Sequence, residues 1–219
     1  MLVNQFIQPS FATVNYFDTV AVALQLIEDN DVLHLPVLHL EKCKGIISKQ
    51  ALLDANENDT INNLEARFIT AWVIKDAYFF SAINILTQHQ TTVVAVITEQ
   101  FDYLGIITIE ALMNYVSVFI GNNDAGGIVV LETEKIQFSF GEISRLIETN
   151  DAYITQLNTS INPETGLLWV AIKINKSEIS DIVATLQRYD YSVKYYFGVE
   201  QFANQLKENY NEFMFYLNI

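Results

Sequence analysis

Apolar residues fall at helical spacing twice in the first half of the chain. Val20, Ala23, Leu24 and Ile27 make an i, i+3, i+4, i+7 stripe, and Phe79, Ala82, Ile83 and Leu86 make it again fifty-nine residues later. A stripe of this kind predicts a helix with one buried face. Each helix is followed by an apolar run of strand length, Val32–Leu38 and Thr92–Ile97. Each run leads into a near-copy of one octapeptide, Gly45-Ile46-Ile47-Ser48-Lys49-Gln50-Ala51-Leu52 and Gly105-Ile106-Ile107-Thr108-Ile109-Glu110-Ala111-Leu112. The glycine ends a turn, the β-branched pair suits a buried strand, and the hydroxyl residue caps a helix. One supersecondary unit is therefore predicted twice. Strands at Phe11–Tyr16 and Arg67–Ile74 open the two copies, with Asp18 and Asp76 as the expected helix caps. The polar break Asn56–Thr60 joins the copies.

The pattern changes after Gly121-Asn122-Asn123-Asp124-Ala125-Gly126-Gly127, where three of the eight glycines meet turn-forming residues. Ile128–Glu132 then reads as a strand, and Ser139-Phe140-Gly141-Glu142 as a capping box opening a helix with Ile143, Leu146 and Ile147 inward. Ala152–Ile161 reads as a strand with Tyr153, Thr155, Leu157, Thr159 and Ile161 on one face, and Asn162–Gly166 as its hairpin turn. Leu167–Ile174 is the next strand. Ser177 is the expected cap of a helix carrying Ile179, Ile182, Val183 and Leu186, and Ser192–Phe197 closes the series. The order is βαββαβ, the ferredoxin-like split unit. After Gly198, a last amphipathic helix would carry Phe202, Leu206, Tyr210, Phe213 and Leu217 on one side.

The fold class is thus α/β (α+β). The expected division is 1–120 for the repeats (1–56 and 62–120), 121–127 as linker, 128–198 as the ferredoxin-like domain, and 199–219 as the C-terminal helix.

Composition narrows the function classes. The chain has 219 residues, 51% of them hydrophobic, and a net charge of −14. That is enough apolar material for cores in two domains and excludes general disorder. The acidic excess argues against nucleic acid or an anionic membrane surface as partner. No basic residue precedes Lys42, so a secretory leader is not expected and the chain reads as cytoplasmic. Cys43 is the single cysteine, so no disulfide forms within one chain.

The helix, the strand ending Leu35-Pro36-Val37, the turn and the Gly-Ile-Ile-Ser/Thr segment, taken twice, resemble the CBS domain. CBS domains occur as tandem pairs, often called Bateman modules. The βαββαβ unit behind them resembles the ACT domain, and the combination is similar to regulatory proteins of the acetoin-utilisation type. The resemblance implies a regulatory, ligand-sensing protein without catalysis, and a homodimer. It also implies a ligand cleft near Ser48, Thr108, Pro36 and Val96. In nucleotide-binding members the hydroxyl faces phosphate and an Asp three residues later holds the ribose. Here Ala51 and Ala111 stand at those two positions. Losing such a charged hydrogen bond costs on the order of ten- to a hundred-fold in affinity. No cofactor is therefore expected, and an adenine nucleotide would be weakened as a ligand. In the ACT-like part, Gln137-Phe138 stand where the family often has Pro-Gly, and Phe138 could fill the amino-acid space.

No catalytic constellation stands out. His34, His39 and His89 lack metal-ligand spacing, and Cys43, in an expected turn near His39 and two lysines, has no paired base. Two function classes remain, a small-molecule sensor and a structural assembly module whose sites have degenerated. The protein partner is unknown from sequence.

Overall fold

The computed structural model describes residues 2–199, so the expected C-terminal helix lies outside the described residues except for Val199. The chain divides into two compact units, the first spanning Met1–Val116 and the second beginning at Ser117. The glycine-rich stretch 121–127 falls in the second.

In the first unit, β1 (Val14–Asn15), α1 (Val20–Asp29), β2 (His34–His39), β3 (Lys42–Ser48) and α2 (Lys49–Leu53) form one repeat. The other consists of β4 (Trp72–Ile74), α3 (Phe80–His89), β5 (Val93–Ile97), β6 (Tyr103–Thr108) and α4 (Ile109–Phe119). Each makes a three-stranded sheet with a parallel first pair and an antiparallel second pair, ordered β1-β2-β3 and β4-β5-β6. The stripes lie inward as their spacing requires: Val20, Ala23 and Ile27 are buried in one repeat, and Phe79, Ala82 and Leu86 in the other.

Several local expectations need correction. Thr19, not Asp18, caps α1 by accepting from the Val22 amide at 3.4 Å, because Asp18 turns back to accept from the Asn15 amide at 2.8 Å. Asp76 caps nothing: α3 starts at Phe80 with no side-chain cap. The opening strands shrink to two and three residues, and Ile61–Arg67 is a 3-10 helix where sequence gave no element before the second strand.

The repeats are not two free-standing copies. Gln8 and Ile106 exchange both backbone bonds (2.8 and 3.1 Å), and Ile46 and Ile69 do the same (2.9 and 2.8 Å). The lead-in to each repeat thus lies along the far strand of the other.

In the second unit, β7 (Gly127–Thr133), α5 (Phe140–Glu148), β8 (Ile154–Ile161), β9 (Leu168–Ile174), α6 (Ser180–Arg188) and β10 (Ser192–Phe197) follow the βαββαβ order. All pairings are antiparallel in the order β10-β7-β9-β8, so first and third strands are central. Its core joins Val129 and Leu131 of β7 with Ile143, Leu146 and Ile147 of α5 and Ile182, Val183 and Leu186 of α6. Ser139 caps α5 by accepting from the Glu142 amide at 3.3 Å. Ser177 caps no helix, since α6 begins at Ser180 behind Ile179. The predicted face of β8 is only partly right, because a register shift between Ile154 and Gln156 leaves Ile154 and Leu157 on the core while Tyr153 and Ile161 stay exposed.

One buried carboxylate pins the β8–β9 turn to the sheet. Glu132 accepts from Lys194 Nζ at 2.7 Å, Trp169 Nε1 at 3.0 Å and Asn162 Nδ2 at 3.1 Å. Lys194, then Asn162 and Trp169, hold its carboxyl at about 2, against an ordinary 4.5. A depressed folded-state pKa stabilises fully above the unfolded value and is lost as pH falls through the folded one. Wild-type unfolding midpoints should therefore fall between pH 4.5 and pH 2 more steeply than those of Glu132→Gln, measured as paired urea titrations.

Candidate functional site

Four elements from both repeats converge where β2 and β5 begin and β3 and β6 end. Lys49 donates its amide to the Leu33 carbonyl at 2.8 Å, and Ile109 donates to the Thr92 carbonyl at 3.0 Å, so each repeat makes the same closing bond. Ser48 caps α2, accepting from the Ala51 amide at 3.2 Å, and Thr108 does the same for the Ala111 amide at 3.2 Å. These are the two hydroxyls singled out from the sequence. Both have a capping role and remain partly exposed.

A cavity of about 250 Å³ opens beside Thr108. Phe11, Asp31, Val32 and Leu33 come to it from the first repeat, and Thr92, Val93, Thr108 and Glu110 from the second. Asp31 reaches its place because the chain leaves α1 through a left-handed residue there (φ 51°), as helices commonly end. No lysine or arginine lines the cavity, whereas two carboxylates do. Glu110 lies in the first turn of α4 and so answers the positive end of that helix.

Of the other residues named from sequence, Pro36 and Val96 are buried within their sheets, paired with Ile46 and with Gly105. They do not line the cavity, nor do Ser48, Ala51 and Ala111. Pro36 and Val96 are not equivalent positions either. Ala95 pairs with Ile106 as Pro36 pairs with Ile46, because the second hairpin has one more turn residue than the first.

The matching place beside Ser48 is built differently. His34 pairs with Ser48 across β2 and β3 where Val93 pairs with Thr108. Its Nδ1 lies 3.0 Å from the Thr92 hydroxyl and accepts from the Thr92 amide at 3.4 Å. Burial holds this imidazole below its ordinary pKa, which suits a neutral ring with an accepting Nδ1. The imidazole bonds one repeat to the other through Thr92, a residue that also lines the cavity beside Thr108. Sequence assigns no role to Asp31, Thr92 or Glu110 and weighs His34 only as a metal ligand. Asp31 stands in no motif, Glu110 stands in the octapeptide where the other copy has Gln50, and the His34–Thr92 contact joins positions 58 apart.

Cys43 lies in β3 rather than in a turn, 3% exposed, and burial pushes its thiol up to about 11. A thiol so shifted is protonated at neutral pH and a poor nucleophile. Phe138 packs against the core of the second unit. Among the described residues no group of three or more His, Cys, Asp or Glu is placed to hold a metal, and no helix is long and apolar enough to cross a membrane.

The CBS domain family model matches residues 3–58. The second repeat has the same element order and pairing as the matched one. The chain is similar in fold to a CBS domain pair/ACT domain protein from Thermotoga maritima, 17% identical, with a TM-score of 0.51 over 55% of this chain and 99% of that one. A transcriptional regulator's CBS domains from Streptococcus pneumoniae match at 18% identity and TM-score 0.47, over 52% and 98% of the two chains. A protein assigned to acetoin utilization, from Vibrio cholerae, matches at 19% and 0.47, over 56% and 95%. No curated protein matches the chain. The repeats are followed in this chain by a unit of ferredoxin-like βαββαβ order.

Proposed function

We propose that this chain is a non-catalytic regulatory protein whose CBS pair binds one small, phosphate-free metabolite in the cleft beside Thr108. The observation that carries the reading is the cavity drawn from both repeats, with hydroxyls at Thr92 and Thr108, an aromatic ring at Phe11 and carboxylates at Asp31 and Glu110. Hydroxyl-bearing ligands suit the carboxylates, which accept hydrogen bonds, and a flat ring suits Phe11. Phosphate does not suit them. Two unit charges of one sign repel by about 1 kcal/mol at 4 Å even in water, and by more where solvent is excluded. In this reading the ligand favours one arrangement of the two repeats, the ACT-like domain relays it, and the chain works as a cytoplasmic homodimer.

The test is thermal unfolding of the full chain with adenosine, AMP, ATP, S-adenosylmethionine and guanosine. The expected order is adenosine or S-adenosylmethionine above AMP, with ATP at least about tenfold weaker than adenosine, and Thr108→Val abolishing the shift. Saturating ligand at about a hundred times its dissociation constant adds about 2.7 kcal/mol, a rise of several degrees. Silence across the panel, with a dimer intact by light scattering, would instead favour the assembly module. That second reading draws on the His34–Thr92 bond across the repeats and on the packing of Phe138.

A further inference from the structure

The two helices of the second unit leave a groove of about 430 Å³ between them, within the size range of small-molecule sites. Two of the chain's three arginines, Arg145 and Arg188, line it, both exposed. Two bonds set the helices antiparallel: the Tyr191 hydroxyl donates to Glu142 at 2.8 Å, and Asn150 Nδ2 donates to the Thr185 hydroxyl at 3.3 Å. Positions 145 and 188 therefore fall at the same level of the pair.

Among the described residues the ion pairs are Lys42–Asp102 and Lys194–Glu132, so neither arginine has a carboxylate within bonding range. The acids on the helix of Arg145 are otherwise engaged, Glu142 by Tyr191 and Glu148 by the Ser144 hydroxyl at 2.9 Å. In a chain of net charge −14, two guanidinium groups facing one groove, neither ion-paired among the described residues, run against the composition. A guanidinium presents a planar fork that matches the oxygens of phosphate, and two forks match a dianion. Asn150 and Thr185 supply neutral polar groups in the same groove, and Lys176 Nζ donates to the Asn150 carbonyl at 3.3 Å, adding a third positive charge nearby. Asp181 also lines the groove and opposes an anion, so the negative group belongs at the arginines.

We propose that this groove is a second ligand site, taking a small metabolite that carries a phosphate group, with Arg145 and Arg188 as its clamp. It is independent of the cleft in the CBS pair and opposite to it in charge. A phosphorylated effector is read here.

Calorimetric titration of the full chain with inorganic phosphate and with pyrophosphate, at low ionic strength and against matched chloride, tests it. One saturable site is expected. Arg145→Gln and Arg188→Gln should each weaken it by about tenfold or more, and Arg145→Lys by less. Lys75→Gln, which removes the same charge from an exposed position in the other unit, should leave it unchanged. Without phosphate, neither arginine variant should unfold at a lower temperature than wild type, because both side chains are exposed and hold no ion pair among the described residues. Equal losses in Lys75→Gln would reduce the effect to bulk charge, and absence of saturable binding at millimolar phosphate would overturn the proposal. So would an arginine-dependent interaction with an acidic peptide alone, which would make the groove a protein-docking surface.

Discussion

Replacing Gly105 by valine is expected to destabilise the first unit by about 2–6 kcal/mol. The residue sits at φ +141°, and a Cβ there would stand 2.6 Å from the Gln8 carbonyl oxygen and 2.6 Å from Ile7 Cγ2. Neither neighbour can move freely, since Gln8 is bonded in both directions to Ile106, the next residue along. Backbone strain of this kind costs about 1–3 kcal/mol, and overpacking adds a similar amount. Alanine should lose most of the same stability, because the collision is already at Cβ. Urea unfolding gives the magnitude, and amide hydrogen exchange gives the mechanism: the Gln8 and Ile106 amides should exchange faster in the variant than in wild type. Unchanged protection at both would mean that the lead-in strand does not depend on the glycine. Gly45 is the counterpart in the first repeat, at φ +149°, with the Phe68 Cβ at 2.9 Å and the Ile69 carbonyl oxygen at 3.2 Å. Its replacement by alanine should be the milder of the two because both approaches are longer, although Ile69 is likewise bonded in both directions to Ile46.

Phe79→Ala should cost about 3–5 kcal/mol, the usual range for removing a fully buried aromatic side chain. Phe79 is completely buried, with ring centroids at 4.4 Å from Phe80, 4.8 Å from Tyr78 and 5.0 Å from Tyr115. Tyr115 in turn lies 4.3 Å from Phe6. Phe79 thus ties the start of α3 to α4 and, through Tyr115, to the N-terminal segment. With each kcal/mol worth roughly 2–4 °C at this chain length, the midpoint of the first unit should fall on the order of 10 °C. Phe79→Leu should recover more than half, because volume is largely kept. If leucine did no better than alanine, ring geometry rather than burial would be responsible.

Much of the architecture was legible because each element carried its own period. The stripes on α1 and α3 repeat at fifty-nine positions, and the octapeptide after them at sixty, so the pair could be read from apolar spacing alone. The single-residue difference between those offsets was also in the sequence. Its physical meaning, an extra residue in the β5–β6 turn that leaves Pro36 and Val96 unmatched, needed the register. Local caps were less legible. Asp18 and Thr19 both qualify chemically as a cap, and what decides between them is the Asn15 amide that Asp18 accepts. Thr108 was found because a hydroxyl at a helix start is a local signal. Asp31, Glu110 and Thr92 were not, because their significance comes from a cavity assembled by segments far apart in sequence. The same holds for β8, where a shift of register between Ile154 and Gln156 moves the inward face by one residue.

The exchange of lead-in strands between the repeats also sets an order of events during synthesis. Ile46 can meet Ile69 soon after both have been made. Gln8 has no such partner until Ile106 appears, roughly a hundred residues later, so it is made well before it can be placed. Until then the segment around Gln8 is unpaired, and the first repeat must wait on the second before either is closed.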